Sequence, residues 1–396
     1  MTTDGSGYFL YHSIGQYPGK AEEMATAYAD FAAHWGAWDD AQWGHALGIK
    51  ARFIEQWSRL IGAEVGTVTT CESVTAGLYA ILGALPPARI GKRVLIAADC
   101  FPSLHFLLQG LSQRMGFSLE TVPLRPGESW VRDEDMIAAW GPDVGVAVLT
   151  WVTSTASHRG DLARLVAHGR AQGSLIGVDI TQAAGLLPFD VSAPEIDFAI
   201  STSLKWVCGA PGAGMLYVAP PLVHECAPEF RGWFSQANPF SWDLDAFEFA
   251  PDIRRFDSGT PGVVACAGTL PALDWVHAQD RAAMQLHNRT LVQQVMDGAD
   301  TLGLDVVSPR ESSARGGSVM LRLPEAVAPG AMLETLRAKG LFADTRSQIL
   351  RISPGVMASS AGVNRLLETL GRVLHHFARE APAFRPGRDS ASLFRR

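Results

Sequence analysis

Six short, mostly apolar runs bounded by Gly, Pro or Asp constrain this chain more than any other feature. They are Arg93–Ala97 (RVLIA), Leu119–Val122 (LETV), Val144–Leu149 (VGVAVL), Leu175–Val178 (LIGV), Phe198–Ser201 (FAIS) and Gly214–Val218 (GMLYV). Apolar runs that do not alternate with polar residues suit strands covered on both faces, the condition of a mainly parallel sheet. Leu104–Arg114, Arg132–Trp140 and Asp161–Gln172 read as crossover helices between them. Before them, Lys20–Trp35 and Ile49–Ile61 have helical apolar spacing, and Ser73–Leu85 opens on a capping serine and reads as a mostly buried helix. The expectation is an α/β fold. Around Val263 the texture changes. A long helical stretch, Val263–Leu302, precedes a strand at Ser318–Leu323, a helix at Gly330–Lys339, a strand at Ile349–Ile352 and an amphipathic helix at Asn364–Glu380. This pattern predicts a smaller α+β domain. The expected division is an N-terminal segment 1–20 that joins the small domain and the site, a large domain 21–262, a small domain 263–381 and a loose tail 382–396.

Composition excludes several classes. A formal charge of −7 with no basic run argues against nucleic acid and anionic membranes as partners. The longest strongly apolar run, Val144–Val152, is far short of the ~20 residues a membrane-spanning helix needs. The first residues carry no basic segment followed by an apolar stretch, so a cytoplasmic location is expected. Five cysteines without a C-x-x-C pair fit reduced, buried thiols, and no metal site is expected.

Chemistry concentrates between Ser174 and Val218. Lys205 follows a buried strand in a Ser/Thr-rich turn and precedes Gly209, Gly212 and Gly214. A lysine there either reaches solvent with its amine or forms an imine with a carbonyl cofactor. Asp179 ends another apolar strand, where parallel sheets face a ligand crevice. It can serve as a helix cap, or pair with a protonated pyridine nitrogen and keep pyridoxal phosphate an electron sink. Gln182 is placed to reach the cofactor's phenolic oxygen or the imine region. Lys205 lies 26 residues after Asp179, each beyond its own strand, as a Schiff-base lysine and a pyridine partner would.

These residues carry a resemblance. Asp179-Ile-Thr-Gln182-Ala-Ala-Gly and Ser201-Thr-Ser-Leu-Lys205 resemble the class V aminotransferase group of fold-type I pyridoxal phosphate enzymes, and within it kynureninase. Several further segments resemble family motifs in order over most of the chain: Leu10-Tyr-His-Ser13-Ile-Gly15, Val74-Thr75, Cys100-Phe101-Pro-Ser, Gly232-Trp233, Ala250 to Pro261, Arg315-Gly-Gly and Asp344 to Pro354. The resemblance implies a large domain with a seven-stranded, mainly parallel sheet between helices, and a smaller α+β domain. It implies Phe101 stacked on the pyridine ring, and Val74, Thr75 and Trp233 at the phosphate. It implies Arg351 gripping the substrate carboxylate as a bidentate fork, with Ser13 and His105 as further substrate contacts. It also implies a homodimer in which the Gly259-Thr260 loop reaches the neighbouring subunit's phosphate.

The departures concern chemistry. Leu204 stands where kynureninase has a tyrosine, Leu104 where it has an acid, Gln182 where it has a histidine, and Pro354-Gly-Val where it has P-L-Y. The expectation is a pyridoxal phosphate enzyme acting on an α-amino acid, by cleavage or elimination at Cβ through a Cα carbanion, and not kynurenine hydrolysis. Transamination, or Cα decarboxylation or racemisation, is the alternative, and an inactive homologue serving as a binding protein is the non-enzyme one. No cysteine lies between Ser308 and Pro354, which argues against a persulfide-forming desulfurase. Leu104, Leu204, Trp206 and Trp233 suggest an apolar site. A nicotinamide site is excluded because GAPGAG (209–214) has other spacing than G-x-G-x-x-G and lies between strands.

Overall fold

The computed structural model describes residues 4–380, so the expected tail 382–396 lies outside the described residues. In chain order the elements are α1 (Lys20–Trp35), α2 (Gln42–Ile61), β1 (Val68–Cys71), α3 (Val74–Leu82), α4 (Pro87–Ile90), β2 (Arg93–Ala97), α5 (Pro102–Met115), β3 (Ser118–Val122), α6 (Asp133–Ala139), β4 (Val144–Thr150), α7 (Leu162–Gln172), β5 (Leu175–Asp179), β6 (Phe198–Thr202), β7 (Gly214–Val218) and α8 (Pro220–Glu225). They continue with α9 (Val264–Ala278), α10 (Arg281–Thr301), β8 (Asp305–Val306), β9 (Val319–Arg322), α11 (Pro329–Ala338), β10 (Asp344–Arg346), β11 (Ile349–Ile352) and α12 (Ser360–Glu380).

The first seven strands form one sheet in the order β1-β7-β6-β5-β4-β2-β3. Strands β2 to β6 pair in parallel; β7 and β1 add an antiparallel edge. The continuous apolar runs have a direct cause. In β4, Val146 and Val148 enter one core while Ala147 and Leu149 enter the other. In β6, Phe198 and Ile200 face one way and Ala199 the opposite way. Both faces are dry, so neither parity of the strand can be polar. The mainly parallel seven-stranded α/β sheet is the fold class expected.

The expected single helical stretch from Val263 to Leu302 is two helices. Gln279 turns extended, and the Asp280 carboxylate accepts the Ala283 N–H at 3.1 Å, starting α10 afresh. Helix α9 lies against α1 and α2, and its Cys266, Leu270 and Leu273 join the core of the large sheet. A second, antiparallel sheet in the order β10-β11-β9-β8 has its own core, with Val292, Val295, Met332, Leu336, Leu350 and Leu366. Among the described residues, no helix is long and apolar enough to cross a membrane.

Residues 4–19 strap the two sheets together. Phe9 is buried in the core of the second sheet, Tyr11 and Tyr17 in that of the first. The Phe9 N–H donates to Phe342 O, and its carbonyl accepts from the Ser353 N–H, each at 2.9 Å. At the other end the Gly15 N–H donates to Leu204 O, one residue before Lys205. A Cβ on Gly15 would lie 1.8 Å from the Lys205 carbonyl oxygen. Gly15→Ala must push the strap off the Lys205 turn, and we expect it to cost about 1–3 kcal/mol, as overpacking of a filled site does. Urea denaturation measures this; an unchanged midpoint would contradict the close approach.

Candidate active site

A cavity of about 330 Å³ opens at the carboxyl ends of β4, β5 and β6, where parallel sheets place their ligands. Thr150, Asp179 and Thr202, the last residues of those strands, line it. The register pairs Thr150 with Asp179, so both side chains leave the sheet on one side. The Asp179 carboxylate is buried, and Oδ1 accepts the Thr181 N–H at 2.9 Å. Burial pushes its pKa up, against the pull of Thr181 and of the Lys205 charge.

Lys205 projects from the turn after β6. That turn is closed by hydrogen bonds from Cys208 N–H to Lys205 O and from Gly209 N–H to Ser203 O, with Cys208 held at a φ of 64°. The ammonium nitrogen lies 5.3 Å from the centroid of the ring of Phe101, the residue just before α5. Burial lowers the Lys205 pKa to about 8, with Asp179 opposing and Arg351 adding to the shift. A large neutral fraction near pH 8 makes this amine a competent nucleophile and base. On the opposite wall Ser73, Val74 and Thr75 open α3, and Ser73 Oγ accepts the Ala76 N–H at 3.2 Å. First-turn N–H groups have no partner within a helix, and so make an anion seat.

A family model described as aminotransferase class-V matches residues 50–345. The chain belongs to the class V aminotransferase family. It is 26% identical to a kynureninase of Pseudomonas fluorescens over 360 residues, covering 87% of this chain and 82% of that protein. It is 28% identical to a kynureninase of Deinococcus radiodurans over 366 residues, covering 86% and 85%. A cysteine desulfurase structure from Thermococcus onnurineus shares the fold, with a TM-score of 0.82 at 18% identity, over 93% of this chain and 94% of that one. The protein is a kynureninase-like, pyridoxal phosphate-dependent enzyme of fold type I.

The residues fit that cofactor. Thr150 Oγ1 and Thr181 Oγ1 are buried without a hydrogen-bond partner, an expensive state that polar groups of a ligand relieve. A buried carboxylate, an aromatic ring, a lowered lysine amine and a helix N-terminus surround the same space. Each matches one part of the cofactor: pyridine nitrogen, ring face, aldehyde and phosphate. Val74, Thr75, Phe101, Asp179, Gln182 and Lys205 thus meet in one cavity. Gln182 is less free than expected: its Nε2 donates to His12 O at 3.0 Å and its Oε1 accepts from Trp206 Nε1 at 3.4 Å.

Other expected residues stand elsewhere. Trp233 packs edge-on against Phe234, Trp43 and Phe240, and Thr260 sits on an exposed loop; within one chain neither reaches the cavity. His105 packs against Phe106 along α5, and Ser13 turns back so that its N–H bonds Leu10 O. Leu104 and Leu204 line the cavity, whereas Trp206 is spent on Gln182. Arg351 is buried behind the wall. Its Nε donates to Asp344 Oδ1 at 2.7 Å and Nη2 donates to Asp344 Oδ2, so the edge expected to fork a substrate holds an internal carboxylate. Nη1 lies 3.4 Å from the carbonyl oxygen of Ser154, a cavity residue. Thr150, Thr181 and Ser154 escaped the sequence reading, whereas Ser73 was read as the helix cap it proves to be. Thr150 carried the same signal as Asp179, a polar residue closing an apolar strand.

Borohydride reduction of the cofactor-loaded protein should place the pyridoxyl label on Lys205, and peptides bearing Lys92 or Lys339 should be clean. The neutral amine is the reactive form and fills as pH rises through the pKa. Covalent loading of apo-protein should therefore accelerate up to a pH of about 8 and then level off. Continued acceleration toward ~10.4, the value of an ordinary lysine, would contradict the enclosed amine.

Proposed function

We propose that this enzyme cleaves or eliminates the Cβ substituent of an α-amino acid with an uncharged side chain, and that it does not hydrolyse kynurenine. One observation carries the reading. Among the described residues lining the cavity, the titratable groups are Lys205, Asp179 and Glu72. Asp179 is buried at the foot of the cavity and Glu72 is exposed, which leaves Lys205 as the group able to move a proton at Cα. Pyridoxal phosphate, when bound, supplies an electron sink for a Cα carbanion.

The chain's own residues do the rest. With the cofactor bound, Asp179 would pair with its pyridine nitrogen and Phe101 would cover one ring face. Ser73, Val74 and Thr75 seat the phosphate, and Arg351 receives the substrate carboxylate. Lys205 Nζ takes the proton from Cα, and the Cβ substituent leaves with its bonding pair. A leaving group stable as an anion needs no second acid. Kynurenine hydrolysis needs water activated at the γ-carbonyl and a proton delivered to carbon. Leu104 and Leu204 present hydrocarbon where acid–base groups would serve. Loss of one such group typically removes ~10²–10⁴-fold in rate.

We also propose that the enzyme works as a homodimer. No Lys or Arg besides Lys205 lines the cavity among the described residues, so the phosphate charge lacks a cation from its own chain. Trp43 and Phe240 pack edge-on against Trp233 and are both exposed, and Trp242 and Phe247, a few residues further along, are exposed as well; exposed aromatics in such number suit an interaction face. A second copy on that face would cover it and bring Thr260 to the neighbouring phosphate.

Incubation of the holoenzyme with a panel of amino acids, with product analysis, tests the reading. The expected products are a 2-oxo acid and ammonia in equal amounts from one or more neutral amino acids, and no anthranilate from kynurenine. Robust anthranilate release would show that the apolar substitutions are neutral. Asp179→Ala should slow any Cα chemistry by orders of magnitude while leaving Lys205 competent for labelling; near-normal turnover in that variant would remove Asp179 from its role.

A further inference from the structure

A buried polar chain runs behind the cavity and ties the N-terminal strap to the second sheet. Ser318 Oγ and Ser353 Oγ lie 2.6 Å apart, and Ser353 Oγ lies 2.6 Å from His12 Nδ1. His12 Nε2 lies 2.9 Å from Asp344 Oδ1, and Asp344 grips Arg351. Every member except Asp344 is almost fully buried.

The direction of each hydrogen bond follows from chemistry. Although burial opposes it, hydrogen bonds from His12 and Arg351 hold the Asp344 carboxyl well below the usual carboxylate range. Asp344 is therefore ionised and can only accept. His12 must carry its proton on Nε2. Burial lowers the His12 pKa, so the ring is neutral near pH 7 and Nδ1 is a bare acceptor. Ser353 then donates to His12, and Ser318 donates to Ser353.

The consequence falls on Arg351. A guanidinium has five N–H donors in a planar, rigid fork. Asp344 takes one from Nε and one from Nη2, and Ser154 O lies within reach of one on Nη1. Among the described residues the remaining N–H bonds of Nη1 and Nη2 have no acceptor, although the side chain is only 6% exposed. A buried cation with spare donors beside a cavity residue is a seat for an anionic ligand atom.

We infer that His12 and Asp344 are positioning residues for the substrate carboxylate. Asp344 clamps the Nε edge of Arg351, His12 clamps Asp344, and the other edge of the fork is left presented to a carboxylate at the Ser154 wall. The strap that carries His12 also fixes Gln182 through the His12 carbonyl, so one segment sets both the carboxylate seat and the cofactor-side amide. Arg351 is thereby selective for a single carboxylate, because Asp344 occupies its second edge. The inference rests on the cavity being an amino-acid site, as proposed above.

The test titrates holoenzyme with L-alanine and with ethylamine, its carboxylate-free counterpart, read by the visible absorbance of the bound cofactor. Asp344→Asn and His12→Gln should raise the half-saturating alanine concentration about tenfold or more, the scale of one charge-assisted hydrogen bond lost. Ethylamine should respond within about twofold of wild type by the same scale, and Asp344→Glu should recover part of the alanine response. Nitrogen-15 NMR of the wild-type protein should show His12 protonated on Nε2 and bare on Nδ1, whatever the variants do. Arg351→Ala should lose the preference for alanine entirely. If Arg351→Ala loses it but Asp344→Asn and His12→Gln do not, this inference fails alone. If wild type does not prefer alanine to ethylamine, the carboxylate seat and the amino-acid reading fail together. The Nδ1–H tautomer, or equal losses for alanine and ethylamine in the variants, would also overturn the positioning role.

Discussion

Enclosing an amine and a carboxylate in one crevice is the constraint on which the rest of this structure depends. Lys205 and Asp179 sit at the ends of neighbouring strands β6 and β5, where neither is free to hydrate fully. Each disfavours its own charge by burial, and each is partly restored by the other. The result is an amine that can be neutral near physiological pH and a carboxylate held in reserve for a cationic ring. The sheet makes this possible because both of its faces are dry. The inner strands are mostly apolar along their length and turn polar toward the crevice, so Thr150, Asp179 and Thr202 emerge together.

The second requirement is holding a substrate against that pair. Here the N-terminal strap joins elements far apart in the chain. It enters the second sheet at Phe9, touches Gln182 with the His12 carbonyl, and ends against the Lys205 turn at Gly15. Arg351 arrives from β11 and is oriented by Asp344 from the adjacent β10. Lys205, Gln182 and Arg351 thus share one mechanical frame. The absence of a second proton-moving group among the described cavity residues then narrows the chemistry toward loss of a group that departs as a stable anion.

Much of this was legible in the sequence, for identifiable reasons. Asp179 and Lys205 stand out as a pair, because each follows its own apolar strand and they lie 26 residues apart; either alone has an ordinary reading, as a helix cap or as a lysine whose amine reaches solvent. The six runs all became strands; in the inner strands β4, β5 and β6 burial on both faces forbids alternation, while the edge strand β3 keeps Glu120 and Thr121 only partly buried. Strand β1 was not legible: four residues, half of them threonine, at an antiparallel edge carry too little pattern. The break between α9 and α10 was hidden because Asp280 acts as a cap through its side chain while the apolar spacing continues on either side. The resemblance singled out Arg351, but not its engagement with Asp344, since pairing across a hairpin depends on register. Trp233 and Thr260 stand outside the cavity of their own chain, a placement that motif spacing along one chain does not reveal.

The central claim is that Lys205 moves the Cα proton of an amino acid in this cavity. The direct measurement is exchange of the Cα hydrogen of a bound amino acid with deuterium oxide solvent, followed by proton NMR. Wild-type holoenzyme should deplete the Cα–H signal of neutral amino acids, and Lys205→Ala reconstituted with cofactor should leave it intact. Exchange in Lys205→Ala as fast as in wild type would show that another group does this work and would contradict the account.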